Sequence, residues 1–199
     1  MTAILKVDTI QDTSGNNIIN ENSNTITIGK SGDAVNLASG ATNNLGITSA
    51  DMWRLTTDIT SNVDPIASNL ERIDDASFAK IGTGMSVSSG YWSFPITGLY
   101  QVIATASVSS NADDNVSINI YATLNNSSYD ILAYAWGGTD GGGGAGTNNG
   151  TAMAYVNVTD VSNVKVKFVA NSIGGSSTIL GNTDGTYTGF NFIRLGDSQ

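Results

Sequence analysis

An all-β fold, a sandwich or jelly roll of roughly eight to ten strands, is predicted by three features of the chain. First, apolar residues alternate at period two: Tyr100, Val102, Ala104, Ala106 and Val108 share one face, as do Val116, Ile118, Ile120, Ala122 and Leu124. That period marks a strand half buried in a sheet. Second, turn-formers separate these runs. Pro95 and Gly98 bracket a turn before the first, because proline presets its backbone angle and glycine tolerates positive φ. Asn125-Asn-Ser-Ser128 follows the second. Third, no stretch carries the 3.6-residue period of an amphipathic helix.

Composition bounds the chemistry. The chain has 199 residues, 40% hydrophobic and only 13% charged, so its surface is built from Asn, Ser, Thr and Gly. Without Cys there is neither a disulfide framework nor a thiolate metal site. Without His, the usual general base and the commonest metal ligand are missing. The 17 acidic residues outnumber the 8 basic ones, for a net charge of −9. A nucleic-acid binder needs a basic patch to neutralise phosphates, and none is visible, so no nucleic-acid partner is expected. No apolar run approaches the ~18 residues of a membrane span, which argues against membrane insertion. Met1-Thr-Ala-Ile-Leu-Lys-Val-Asp8 is not a basic region followed by an apolar core. Synthesis in a cytoplasm is expected.

The chain is expected to divide into an N-terminal segment, 1–48, and a larger domain, 49–199. In the first, short apolar pieces (Ile4–Ile10, Asn17–Ile19, Thr25–Ile28, Ala34–Ala38) alternate with turn-formers. This predicts a hairpin-rich segment that orders by pairing with other copies or by docking on a larger assembly, since a lone hairpin is marginal in water. In the second, Met52–Leu55 opens the domain. Short strands are expected at Leu70–Ile73, Ala79–Ile81 and Met85–Val87. Further strands are expected at Tyr129–Ala135, Thr151–Val158, Val164–Val169 and Thr186–Leu195.

Phe94-Pro-Ile-Thr-Gly-Leu-Tyr100, the strand and turn Ile118-Asn-Ile-Tyr-Ala-Thr-Leu124-Asn-Asn, Val164-Lys-Val-Lys-Phe168 and Tyr187-Thr-Gly-Phe-Asn-Phe192 occur in that order. The pattern resembles the globular head of complement component C1q and its tumour-necrosis-factor-like relatives, over residues 52–195. The resemblance implies a C1q/TNF-like jelly-roll sandwich that assembles as a homotrimer and serves recognition rather than catalysis. In the family, Tyr100, Phe190 and Phe192 occupy inner positions, which implies sheet packing and the seam around a threefold axis. Thr159-Asp-Val-Ser-Asn163 replaces the family's usual Gly-Asp before the penultimate strand. The resemblance therefore carries the fold and not a family ligand or calcium site. The N-terminal runs Ile4–Gly15 and Ile28–Asp33 resemble the start of bacteriophage fibre and virion structural proteins, especially those of marine phages. A virion location follows, with residues 1–48 contacting other virion proteins and the head recognising a host-surface glycan or protein. Decoration of the capsid or tail, with no host ligand, is the alternative.

No catalytic residue, metal or cofactor is assigned, and the protein is not expected to be an enzyme. The Gly-rich run 137–150 lacks the Lys of a phosphate-binding loop and reads as a mobile loop between strands. Asp74-Asp75 and Asp113-Asp114 invite a two-carboxylate glycosidase reading. Adjacent aspartates are more often solvated turn residues, and Ser109–Asn115 reads as a loop. Trp53 and Trp92 lie within strands and read as structural. The candidate ligand contacts are Trp136 and Tyr134, at the mouth of the Gly-rich run, with Asp140, Asp113 and Asp114 on neighbouring loops.

Overall fold

The structure is a computed structural model. It describes residues 9–11, 13–14, 17–22, 25–28, 32, 46–111, 115–138, 145–174 and 177–199. The chain divides into two compact units, Met1–Asn44 and Leu45–Gln199. In the first, β1 (Thr9–Gln11), β2 (Asn17–Asn22) and β3 (Thr25–Ile28) form a three-stranded antiparallel sheet. Its register pairs Ile10 with Ile19 and Ile19 with Ile28. The expected piece Ala34–Ala38 lies outside the described residues.

The second unit is two antiparallel sheets face to face. The strands in chain order are β4 (Ala50–Leu55), β5 (Leu70–Arg72), β6 (Ser86–Ser88), β7 (Tyr91–Ser93) and β8 (Gly98–Asn111). They continue with β9 (Val116–Thr123), β10 (Asp130–Gly137), β11 (Ala145–Val158), β12 (Lys165–Asn171), β13 (Thr178–Ile179) and β14 (Gly189–Gly196). The first sheet runs β10-β9-β12-β7-β6; the second runs β11-β8-β14-β4-β5, with β13 also paired to β8. No helix occurs among the described residues.

The Pro95–Gly98 turn carries the chain from the first sheet to the second, since β7 and β8 belong to different sheets. Gly98 adopts φ +152°, and a Cβ there would meet the Arg194 side chain. Arg194 in turn donates from Nε to the Thr97 carbonyl, locking the last strand to this corner. The Asn125–Ser128 turn joins β9 to β10 as expected. Asn125 Oδ1 accepts the Ser127 and Ser128 N–H groups, and Asn126 takes the left-handed conformation at φ 54°.

Alternation places the core. Tyr100, Val102, Ala104, Ala106 and Val108 from the second sheet meet Val116, Ile118, Ile120, Val166 and Phe168 from the first, all buried. Trp92 packs edge-on to Trp53 at 5.0 Å and to Phe168 at 5.8 Å. Phe168 approaches Phe190 at 4.4 Å across the sandwich. Trp92 is thus structural, and Trp53 shares its cluster.

Three expectations need correction. The Gly-rich run is not all loop: β11 begins at Ala145 and pairs with β8 residue by residue as far as Val158↔Gly98. Backbone pairing along a long partner overrides the weak strand propensity of Gly and Asn. For the same reason Ser109 and Ser110 lie in β8 rather than in a loop. Ala79–Ile81 forms no strand, only an isolated bridge from Ile81 to Ala50.

Candidate functional site

The outward face of the first sheet is read from its register. Three cross-strand rows lie side by side: Tyr121–Lys167–Tyr91, Tyr134–Asn119–Val169 and Trp136–Ser117–Asn171. Opposed side chains in such rows stand about 5 Å apart and pack on one another. Tyr134 and Trp136, two residues apart on the edge strand β10, point the same way and stack with centroids 5.7 Å apart and planes 13° apart. They are 49% and 50% exposed, large apolar surface offered to solvent.

The first row is a cation held by aromatics. Lys167 Nζ sits 5.2 Å from the ring centroids of both Tyr121 and Tyr129. It also bonds Asp64 Oδ1 at 2.5 Å, so its charge is answered locally by a carboxylate and two ring faces. Asp64 reaches it because the preceding loop docks on β12, with Val63 and Ala170 exchanging two backbone hydrogen bonds of 3.0 Å. Burial, aided by Tyr91, holds the Tyr129 phenol above its ordinary range. Between this loop and the sheet lies a depression of about 340 Å³, lined by Asn62, Asp64, Tyr121, Val169 and Asn171.

Of the sequence-predicted contacts, the structure brings Trp136 and Tyr134 together on one strand. Asp113, Asp114 and Asp140 lie outside the described residues. Tyr100, Phe190 and Phe192 are fully buried inside a single copy of the sandwich. They fill the core, which is the sheet-packing part of what the resemblance implied for them. Tyr100 donates from its hydroxyl to the Ile96 carbonyl at 3.0 Å, and burial raises its pKa. Asp74 and Asp75 do not flank a cleft with a free carboxylate pair. With Glu71 they hold the guanidinium of Arg54, whose side chain is only 3% exposed. Those three ion pairs keep Arg54 charged, raising its pKa against the cost of burial. No His/Cys/Asp/Glu group among the described residues is arranged to hold a metal ion. In the Thr159–Asn163 turn, Asp160 accepts the Ser162 N–H at 2.8 Å and the Asn163 side chain at 2.7 Å. The Ser162 bond is the main cause holding its carboxyl below the usual range.

Sequence reasoning missed Ser117, Asn119 and Asn171. Polar positions of an alternating strand read as solvated, yet all of Val116–Ile120 is buried. The overlooked signal is the adjacency of Ser117 and Asn119 to the β10 aromatics once the β9–β10 hairpin is paired.

The outward face of the second sheet is of a different kind. Its rows are Met153–Ile103–Asn191–Met52 and Tyr155–Gln101–Ile193–Ala50. Met153 is 52% exposed and Tyr155 58%. At the edge, Leu124, Leu132 and Tyr155 line a groove of about 380 Å³ between β10 and β11.

Two antiparallel sheets, one of five strands and one of six, packed face to face make a sandwich whose fold the solved structures identify. The second unit is a tumour-necrosis-factor-like jelly roll. Murine APRIL at pH 8.5 superposes with a TM-score of 0.53 at 9% identity, over 74% of this chain and 98% of that chain. Eiger TNF from S. frugiperda superposes with a TM-score of 0.56 at 12% identity, over 77% of this chain and 96% of that chain. No protein-family model and no curated protein matches the sequence. The jelly-roll unit is therefore shared with these proteins as a fold.

Proposed function

We propose that this protein is a homotrimeric virion structural protein whose jelly-roll head recognises a component of a host surface. The observation that carries self-association is an apolar band where β11 of the second sheet meets β10 of the first. Met153, Tyr155, Leu132 and Leu124 are 52%, 58%, 44% and 73% exposed, and the last three line one groove. A soluble monomer rarely leaves such a patch uncovered, and closed assemblies of copies commonly cover one. That the closure is threefold rests on the resemblance to the C1q and tumour-necrosis-factor heads. Three copies then display three identical sites, so weak single-site binding gains strength through effective concentration. The virion location is supported by the resemblance of residues 4–15 and 28–33 to phage fibre proteins and by the Cys-free composition. Residues 1–48 serve as the segment that contacts other virion proteins.

Native mass spectrometry of the full chain tests the assembly. A trimer that dissociates on Tyr155→Asp is expected; a wild-type monomer across the micromolar range sinks the proposal. Labelled head incubated with host cells tests recognition. Particles that carry the protein but heads that bind no cell would assign it to decoration instead.

A further inference from the structure

Two polar atoms in the rows of the aromatic pair have no partner. Ser117 Oγ and Asn119 Oδ1 are buried and make no hydrogen bond. Their residues are 0% and 1% exposed. An unmet buried acceptor or hydroxyl costs about 1–3 kcal/mol, so native proteins rarely keep two in adjacent rows without a use for them. Here they lie in the rows that end in Trp136 and Tyr134 on one side and in Asn171 and Val169, at the 340 Å³ depression, on the other.

We propose that this face of the first sheet binds a neutral carbohydrate. The inference rests on reading the head as a recognition module and names the class of molecule recognised. A sugar ring offers an apolar C–H face to the stacked Tyr134–Trp136 pair and a rim of hydroxyls to buried acceptors. Its hydroxyls donate to Asn119 Oδ1 and exchange hydrogen bonds with Ser117 Oγ and the exposed Asn171 amide. The depression at the far end of these rows is lined by Asn62, Asp64, Tyr121, Val169 and Asn171, a few polar groups beside an aromatic, which is how small-ligand sites are generally built. An anionic ligand is disfavoured because the rows of Tyr134 and Trp136 contain no Lys or Arg, Lys167 in the next row is answered by Asp64, and Lys165 beyond it bonds the Ser93 hydroxyl. A protein partner would look for a broad apolar area, and that area lies where β11 meets β10, away from these rows. Ser117 Oγ and Asn119 Oδ1 are closed to solvent, so a sugar reaches them only after a side chain on this face moves aside.

The test titrates the full chain with the tetrasaccharides of glucose, of galactose and of N-acetylglucosamine, followed by tryptophan emission and saturation-transfer NMR. Expected is saturable binding of at least one, with a Kd of roughly 1 mM, weakened about tenfold or more by Trp136→Ala and by Asn171→Ala. Both positions are exposed, and circular dichroism checks that the variants stay folded. Three results would overturn the site: no saturation by any of the three up to about 10 mM, binding that survives Trp136→Ala, or a single exchanging water as the only occupant of the Ser117–Asn119 rows. Cell binding without sugar binding removes this proposal and leaves the recognition reading standing. Sugar binding by a chain that stays monomeric removes the trimer alone.

Discussion

Phe168 is the residue whose removal tests the sandwich most directly. It comes from β12 of the first sheet, is 1% exposed, and meets Phe190 of β14 in the second sheet at 4.4 Å. Trp92 at 5.8 Å and Phe192 at 6.0 Å complete its surroundings. Truncating a packed core Phe to Ala removes its burial and leaves a cavity, at a cost of about 3–5 kcal/mol. Against a typical total of about 5–15 kcal/mol, that is a large share, and it lowers Tm by roughly 10 °C for a unit of this size. The ring–ring contact itself contributes about 0.5–1.5 kcal/mol. A double-mutant cycle of Phe168→Ala and Phe190→Ala isolates it, because the two positions sit in different sheets and touch directly. Denaturant unfolding, followed by the fluorescence of Trp92 at the centre of the cluster, is the assay. Protein concentration is held fixed, since the proposed self-association would make apparent stability depend on it. Phe168→Leu, which keeps most of the volume, is expected to cost less than about 1.5 kcal/mol and remains measurable if the alanine variant does not fold. A Phe168→Ala cost below about 1 kcal/mol, or no coupling to Phe190, would refute the cluster as the bond between the sheets.

Two further outcomes follow from polar groups. Arg54→Met strips three carboxylates of their shared cation. Because Glu71, Asp74 and Asp75 are partly exposed and can rehydrate, the loss is expected at about 1–3 kcal/mol rather than the full cost of a buried pair. It shows in urea melts as a lower midpoint, and the difference shrinks in high salt; a variant as stable as wild type would show that Arg54 is held by packing alone. Tyr100 carries a pH prediction: burial raises its folded pKa, so its contribution is whole below the unfolded value of about 10 and is lost as pH rises through the folded value. Alkaline titration of stability should fall more steeply for wild type than for Tyr100→Phe; equal slopes would show that this phenol does not set the alkaline limit.

What the sequence made legible was whatever is encoded along a strand. The alternation of Tyr100–Val108 put those side chains in the core, and Asn125 marked the β9–β10 turn through its own local hydrogen bonds. The order of the Phe94–Tyr100 corner and the closing Phe190–Phe192 strand led to the jelly roll, whose likeness to known structures lies in its fold. What it hid was contact between distant segments. The pairing of Asp74 and Asp75 with Arg54 spans about twenty residues, and nothing in a double aspartate announces a buried guanidinium. Ala145–Gly150 looked like loop because its residues are poor strand formers, yet β8 supplies a partner for each one. Trp136 and Tyr134 were legible as candidates, but Ser117 and Asn119 became part of the face only when the register of β9 was known.

At Gly150 the backbone of β11 runs against the carbonyl of Trp136 in β10, so closely that a Cβ has no room there. Gly137 is tight in the same way, with a Cβ meeting Val108 at 2.8 Å. At Gly150 the edges of the two sheets therefore approach main chain to main chain, while at Gly137 the neighbour is the Val108 side chain. Such a contact transmits position rather than absorbing it. Three and five residues along from Gly150, the same strand presents Met153 and Tyr155, both exposed. In the proposed trimer a copy seated there would bear on β11, and through the close approach at Gly150 on the strand that carries Trp136. The proposed assembly and the proposed recognition would then meet at one strand-to-strand contact.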